Sequence, residues 1–261
     1  METTTEQKKS RLFVILSGIF ITNALLAEMV GVKIFSAEAT VGLNPVNLDI
    51  LGFQMSFNLT AGAVLWPVVF ITTDLINEYF GKPGVKHISY FTVALISYAF
   101  LAIYLTMRLA PADFWLDSNS TDDAGNYFNI QFAFNKLFGQ GLRIIAGSLT
   151  AFLIGQLVDV YVFQKLRSVT GPGKLWLRAT GSTLVSQLVD SFVVLFVAFY
   201  GIFTNAQILA IGITIYMYKF AVALLLTPLI YLGHYWIDRY LGRVQAQKIS
   251  DEAAEKSQRF F

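Results

Sequence analysis

The chain has 261 residues, of which 55% are hydrophobic and only 14% charged, well below the roughly 25% charge of a soluble domain. A net charge of +2 gives no case for a nucleic-acid partner, and the absence of Cys excludes disulfides, thiolate metal sites and cysteine nucleophiles. Only two His occur, His87 and His234, each near the end of an apolar run, so a His-based metal site inside a bundle is not expected and no cofactor is implied.

Six stretches are long and apolar enough to span a bilayer as helices, which takes roughly 20 residues each: 12–30, 59–80, 88–109, 142–163, 175–200 and 207–232. The first follows Lys8, Lys9 and Arg11, as the core of a signal peptide would. Its length, Glu28 and the lack of a small-x-small cleavage site read instead as a retained first helix. Residues 31–58 form a connecting loop around Gly42-Leu43-Asn44-Pro45. The second span carries Pro67 and the last Pro228, kinks that a membrane helix tolerates where neighbours satisfy the freed backbone groups. Residues 110–141 place Asp113, Asp117, Asp122 and Asp123 before an aromatic run at 127–138, a solvated loop ending in an interfacial segment. Trp66, Trp115, Trp176 and Trp236 read as interfacial belts. After Asp238 the chain turns mixed-charge and reads as a short helix. The fold class is therefore an all-α polytopic membrane protein, a six-helix bundle over residues 12–235 with tails at 1–11 and 236–261.

Cations set the orientation. Fourteen Lys and Arg fall on the side of both termini, four (Lys33, Arg108, Lys136 and Arg143) on the other, and Lys219 inside the last span. This bias predicts a multi-pass inner-membrane protein with cytoplasmic N- and C-termini.

Ionisable groups inside the spans are Glu28, Asp74, Glu78, Asp159, Asp190 and Lys219. Unpaired, they represent on the order of 10 kcal/mol of insertion cost, so they should face the bundle interior. At about 1.5 Å per residue, Asp74 and Asp159 fall near one level and Asp190 and Lys219 near another, which predicts an Asp190–Lys219 ion pair. Glu28 and Glu78 lie near helix ends, where snorkelling or pairing with Lys33 and Lys82 would suffice. Arg143 opens its span as an interfacial anchor. One short repeat stands out: Gln156-Leu157-Val158-Asp159 recurs as Gln187-Leu188-Val189-Asp190, each copy after a small residue, Gly155 or Ser186. In both copies Gln and Asp share a helical face. No zinc motif, phosphate-cradling Gly loop or Ser–His pair is present, so no enzyme is indicated.

A longer series of residues is specific in its order and spacing. It comprises Ala61-Gly62, Trp66-Pro67, Thr73-Asp74-Leu75, Gly81, Arg143-Ile144, Gly155-Gln156-Leu157-Val158-Asp159-Val160, Val162-Phe163, Leu166-Arg167, Ser182-Thr183-Leu184, Asp190, Phe192, Lys219 and Pro228, with Asn23 a weaker match. Over residues 12–235 the chain resembles the VUT family of six-helix membrane proteins, the queuosine precursor transporters. It departs from them in the long acidic loop 110–141 and at Gln187 and Glu78. The resemblance implies import of 7-cyano- or 7-aminomethyl-7-deazaguanine, with the small-molecule base and the lipid bilayer as partners, and leaves a homo-oligomer open. The substrate-binding candidates are Asn23, Asp74, Glu78, Arg143, Gln156, Asp159, Gln187, Asp190 and Lys219. Asp74, Asp159 and Gln156 are the ones suited to the base edge. The competing reading is the substrate-binding subunit of an ATP-driven vitamin-type importer.

Overall fold

The computed structural model of the protein describes residues 4–171 and 174–258. The first helix, α1 (Thr5–Val30), starts well before its apolar run because Thr4 and Gln7 form a reciprocal capping box. Leu12, Leu16, Phe20 and Ala24 recur every fourth residue and are buried as one ridge.

The connection after α1 is more ordered than a loop. It holds β1 (Ile34–Ser36), α2 (Ala37–Thr40), β2 (Leu48–Ile50), β3 (Phe53–Met55) and β4 (Asn58–Thr60), followed by a 3-10 turn at Ala61–Val64. β1 pairs antiparallel with β4, Ile34 opposite Thr60, and β2 pairs antiparallel with β3, Leu48 opposite Met55. Leu51 and Gly52 make the tight turn of the second hairpin with φ of 55° and 82°, the positive values that a type I′ turn requires. Glu38 ties this cap together, accepting from the Phe57 N–H at 2.8 Å and from the Ser36 hydroxyl.

The 41-residue α3 (Trp66–Thr106) would be about 62 Å long if straight, twice a hydrocarbon core of about 30 Å. It is broken at Gly81 (φ 66°, ψ −169°). A Cβ on Gly84 would lie 3.5 Å from Ile76 Cγ2, although eight residues of continuous helix would separate the two by about 12 Å. The chain therefore doubles back, giving a first limb at 66–80 and a second at 82–106. Gly81 is needed twice over: its φ is positive, and a Cβ there would sit 2.5 Å from the Ala253 carbonyl oxygen. Pro67 is not an interior kink. It occupies the first turn of α3, where its missing N–H costs nothing.

Then follow α4 (Asp113–Ser118), α5 (Ile130–Phe138), α6 (Leu142–Thr170), α7 (Leu175–Phe199), α8 (Asn205–Leu241) and α9 (Arg243–Gln258). The expected aromatic run at 127–138 thus contains a helix, α5, and Pro228 stays inside α8. α6 runs seven residues and α8 nine residues beyond their apolar stretches, to Thr170 and Leu241. Five helical stretches among the described residues are long and apolar enough to cross a membrane. With α3 doubled back they supply six limbs.

The contacts fix their directions. Phe13 and Phe80 meet at 4.8 Å, and Gly62 packs on Ala27, so α1 and the first limb of α3 are antiparallel. Thr73 faces Gln156 and Asn77 faces Gln164, so that limb runs parallel to α6. Gly147 faces Ala198 and Gly181 faces Leu166, so α6 and α7 are antiparallel. α9 lies across the end of the bundle, its Ser257 hydroxyl accepting from the Lys82 N–H that the break at Gly81 frees.

Candidate functional site

α6 works as a ruler along a polar column. From one end to the other its Ser148 donates to Glu28, Gly155 abuts Asp190, Gln156 meets Thr73, Asp159 meets Ser186, Gln164 meets Asn77 and Arg167 meets Glu78. Ser148 to Arg167 covers about 28 Å of helix, close to the hydrocarbon thickness. Ser148, Gly155 and Asp159 stack on one side of α6 and Gln156, Gln164 and Arg167 lie round from them, so the column occupies about half of the helix circumference.

At the middle of the column, Phe70, Thr73, Gln156, Asp159, Thr183, Ser186 and Gln187 enclose a small cavity. The Thr73 hydroxyl reaches Gln156 Oε1 at 3.2 Å and the Ser186 hydroxyl donates to Asp159 Oδ1 at 3.1 Å. The centre of a water-sized sphere can move through only about 10 Å³ there, room for about one water. Asp74 stands directly behind this wall, next to Thr73 and 1% exposed. Neither of its oxygens has a hydrogen-bond partner among the described residues, and the same holds for Gln187 Oε1 and Asn77 Nδ2. Buried polar groups are nearly always paired, and an unpaired one costs about 1–3 kcal/mol. Together with Asp159 Oδ2, the Asp74 oxygens and Gln187 Oε1 put four such atoms at or beside the cavity, which makes it the candidate site. Asp159 lies eleven residues from the end of α6, further from that end than its apolar stretch implied.

The repeated tetrapeptide has a structural meaning. The two copies lie antiparallel, and the small residue ahead of each copy faces the acid of the other. A Cβ on Gly155 would touch Asp190 Cβ at 3.4 Å, while Ser186 bonds Asp159. Asp190 also pairs with Lys219 of α8, as the sequence led us to expect.

Glu78 corrects the sequence reading. It neither snorkels nor pairs with Lys82 but is 5% exposed and held by three groups. Arg178 forks onto both carboxylate oxygens at 2.7 and 3.1 Å, Arg167 approaches at 3.2 Å and the Ser250 hydroxyl donates at 2.7 Å. Glu28 likewise turns to Ser148 rather than to Lys33. Arg167 and Arg178, counted by sequence among the cytoplasmic loop cations, are 5% and 2% exposed. Their signal was there: a buried acid needs a buried cation, and both stand within a turn of a helix end at the level of Glu78.

Two candidates fall outside the column. Asn23 donates to Ile19 O of its own helix, and Arg143 donates to Tyr200 O at 2.8 Å at the end of α7, a cation on a helix C-terminus. Trp66 turns inward against Phe152 (5.5 Å) and stacks near Phe70 (6.1 Å). Thr73, Asn77, Thr183, Ser186 and Gln164 are the polar residues that an inventory of charges missed. Uncharged groups leave no mark in hydropathy that separates a site from helix packing.

The family described as "Putative vitamin uptake transporter" matches residues 60–233, which include the cavity, Asp74, the Glu78 network and the Asp190–Lys219 pair. A protein of Bacillus subtilis (strain 168) named "Probable queuosine precursor transporter" is 34% identical over 188 residues, 71% of this chain and 76% of that one. The "Queuosine precursor transporter" of Escherichia coli (strain K12) is 32% identical over 146 residues, 56% of this chain and 58% of the relative. A Haemophilus influenzae protein named "Probable queuosine precursor transporter" is 27% identical over 150 residues, covering 56% of this chain and 54% of its own length. No solved structure matches significantly.

Proposed function

Because this chain belongs to that vitamin uptake transporter family, we propose that it imports 7-deazaguanine precursors of queuosine across the inner membrane, binding the base where α3, α6 and α7 meet. The observation that carries this reading is the central cavity, walled by Gln156, Asp159, Ser186, Gln187 and Phe70 and backed by the unpartnered carboxylate of Asp74.

Those side chains suit the cargo. A guanine-type ring presents N–H groups at N1 and at its exocyclic amine, and one carboxylate accepts both in a charge-assisted pair. A Gln amide donates to O6 and accepts elsewhere, and Phe70 offers a flat face. The aminomethyl form is a cation, which an acidic site also favours. A bicyclic base does not fit into room for one water, so the conformation described here is closed at its centre. The α6–α7 hairpin and the first limb of α3 must part to admit the ring, the rocking about a midplane site that transporters use. The bias of Lys and Arg toward the α9 end supports a cytoplasmic placement of that end and of both termini.

Uptake of radiolabelled 7-aminomethyl-7-deazaguanine into liposomes holding this chain alone, with and without a pH gradient, tests the proposal. Transport without a second protein is expected, and transport only with an ATP-hydrolysing partner overturns it in favour of the binding-subunit reading. A charge-assisted hydrogen bond contributes about 1.5–3 kcal/mol, so Asp159→Asn and Asp74→Asn should each lower uptake about 10- to 150-fold while inserting normally. Full uptake by both variants removes the proposed site.

A further inference from the structure

A second, larger polar space opens beside the closed centre. It is a cleft of about 360 Å³ between the end of the first α3 limb, the start of α7, the end of α8 and α9, within the range of small-molecule sites. Tyr79, Tyr231, His234, Tyr235, Asp238 and Arg243 line it. Tyr231 and Tyr235, one turn apart on α8, are about half exposed, as the walls of an open cleft are. The rings of Tyr79 and His234 lie 5.3 Å apart.

The hydrogen bonds at its inner wall have a defined polarity. The Tyr79 hydroxyl has one hydrogen and donates it to Asp238 Oδ1 at 2.8 Å. Its contact with His234 Nδ1 at 2.9 Å must then run the other way, with Nδ1–H donating to the phenol oxygen. In the neutral ring this leaves Nε2 as a bare acceptor, and Nε2 has no partner among the described residues. His234 Nε2 itself is sealed from solvent, so what the cleft offers a ligand is the flat rings of Tyr231 and Tyr235, the carboxylate of Asp238 and, on α9, the guanidinium of Arg243. A planar heterocycle with N–H donors on one edge and a carbonyl on another would use all three.

The cleft also adjoins the column. Glu78 lines it, and Asp74 lies one turn further in, between the cavity and the Glu78–Arg178 pair. We propose that the cleft is a second, cytoplasm-facing station for the same class of ligand, entered after the base leaves the central cavity. This rests on the transport reading above. In the present conformation the centre is closed and this station is open.

Equilibrium binding of labelled 7-aminomethyl-7-deazaguanine to the purified full-length protein in detergent separates the two claims. Two binding components are expected. Asp159→Asn should remove one. Tyr235→Ala, at an exposed wall position, should weaken the other at least tenfold. So should Arg243→Gln, which removes the guanidinium from the α9 wall. A single component, lost in Asp159→Asn and untouched by Tyr235→Ala and Arg243→Gln, overturns the second station and leaves the central site standing. No binding by the unmodified protein overturns both.

Discussion

Asp74 and Glu78 stand four residues apart on the first limb of α3, so they face nearly the same way one turn apart, and both are sealed from solvent at 1% and 5% exposure. Their surroundings are opposite. Glu78 is saturated by Arg178, Arg167 and Ser250, contributed by three other helices. Both oxygens of Asp74 lack a partner among the described residues. The burial cost is similar, so the difference lies in what compensates it. The Glu78 cluster is a finished joint that fastens α6, α7 and α9 to α3. Asp74 is left uncompensated where the column meets a cavity. Two acids that hydropathy treats alike thus separate into one compensated by three helices and one left without a partner among the described residues.

Removing the charge from Glu78 should have the larger effect on stability. Glu78→Gln leaves two buried guanidiniums facing an uncharged amide. Breaking a buried pair by removing one partner typically costs about 3–5 kcal/mol. The expected outcome is a marked drop in the thermal unfolding temperature of the purified protein, with loosening of α9 visible as faster amide exchange around Ser250. Asp74→Asn, by contrast, should leave the unfolding temperature little changed, because the carboxyl it replaces makes no hydrogen bond among the described residues. Equal destabilisation by both substitutions would show that Asp74 is also a joint and would break the comparison.

Asp190 and Lys219 test the middle ground. They pair at 21% and 16% side-chain exposure, neither saturated like Glu78 nor bare like Asp74. A double-mutant cycle should give a coupling of about 1 kcal/mol, within the usual range for contacting residues. Lys219→Ala alone should reduce uptake, and Lys219→Ala with Asp190→Ala should recover most of it if the pair only neutralises charge. Strict additivity in unfolding temperature would mean that the two groups do not act on each other.

Much of this fold is legible in the sequence, because lipid enforces long apolar runs and the cations alternate with them. The break in α3 is partly legible too: residues 82–87 hold Lys82, Pro83, Lys86 and His87, but nothing in hydropathy says that the turn takes a single residue. That depends on Gly81 having no Cβ against Ala253, a contact between residues 172 positions apart. The site is legible as a set of intramembrane acids, since their insertion cost demands a reason. Which acid is compensated is not. Arg167 and Arg178 lie where snorkelling to water would be the default; both turn to Glu78 instead, and Arg167 also bonds Ser250 of α9. Asn23 shows the converse: it has the composition of a site residue, but its amide is spent on Ile19 of its own helix.

A third acid extends the comparison beyond the bilayer and carries the smallest expected effect. Glu38 of α2 is satisfied like Glu78, but by neutral donors in the cap between α1 and α3. The Phe57 N–H, with the Ser36 hydroxyl, holds its carboxyl below the ordinary value of 4.5. Those donors favour the charged form, so the cap is strengthened wherever Glu38 is ionised. That contribution is fully present above about pH 4.5 and is lost as pH falls through the lower value of the folded state. Amide exchange at Phe57, corrected for its intrinsic pH dependence, should stay slow down to that window and quicken below it. Glu38→Gln should exchange faster at neutral pH and show no such step, with central uptake little changed, because β1 and β4 still pair through their own backbone. A step that persists in Glu38→Gln would assign the titration to another group, and a collapse of uptake would mean that the cap takes part in closing the bundle.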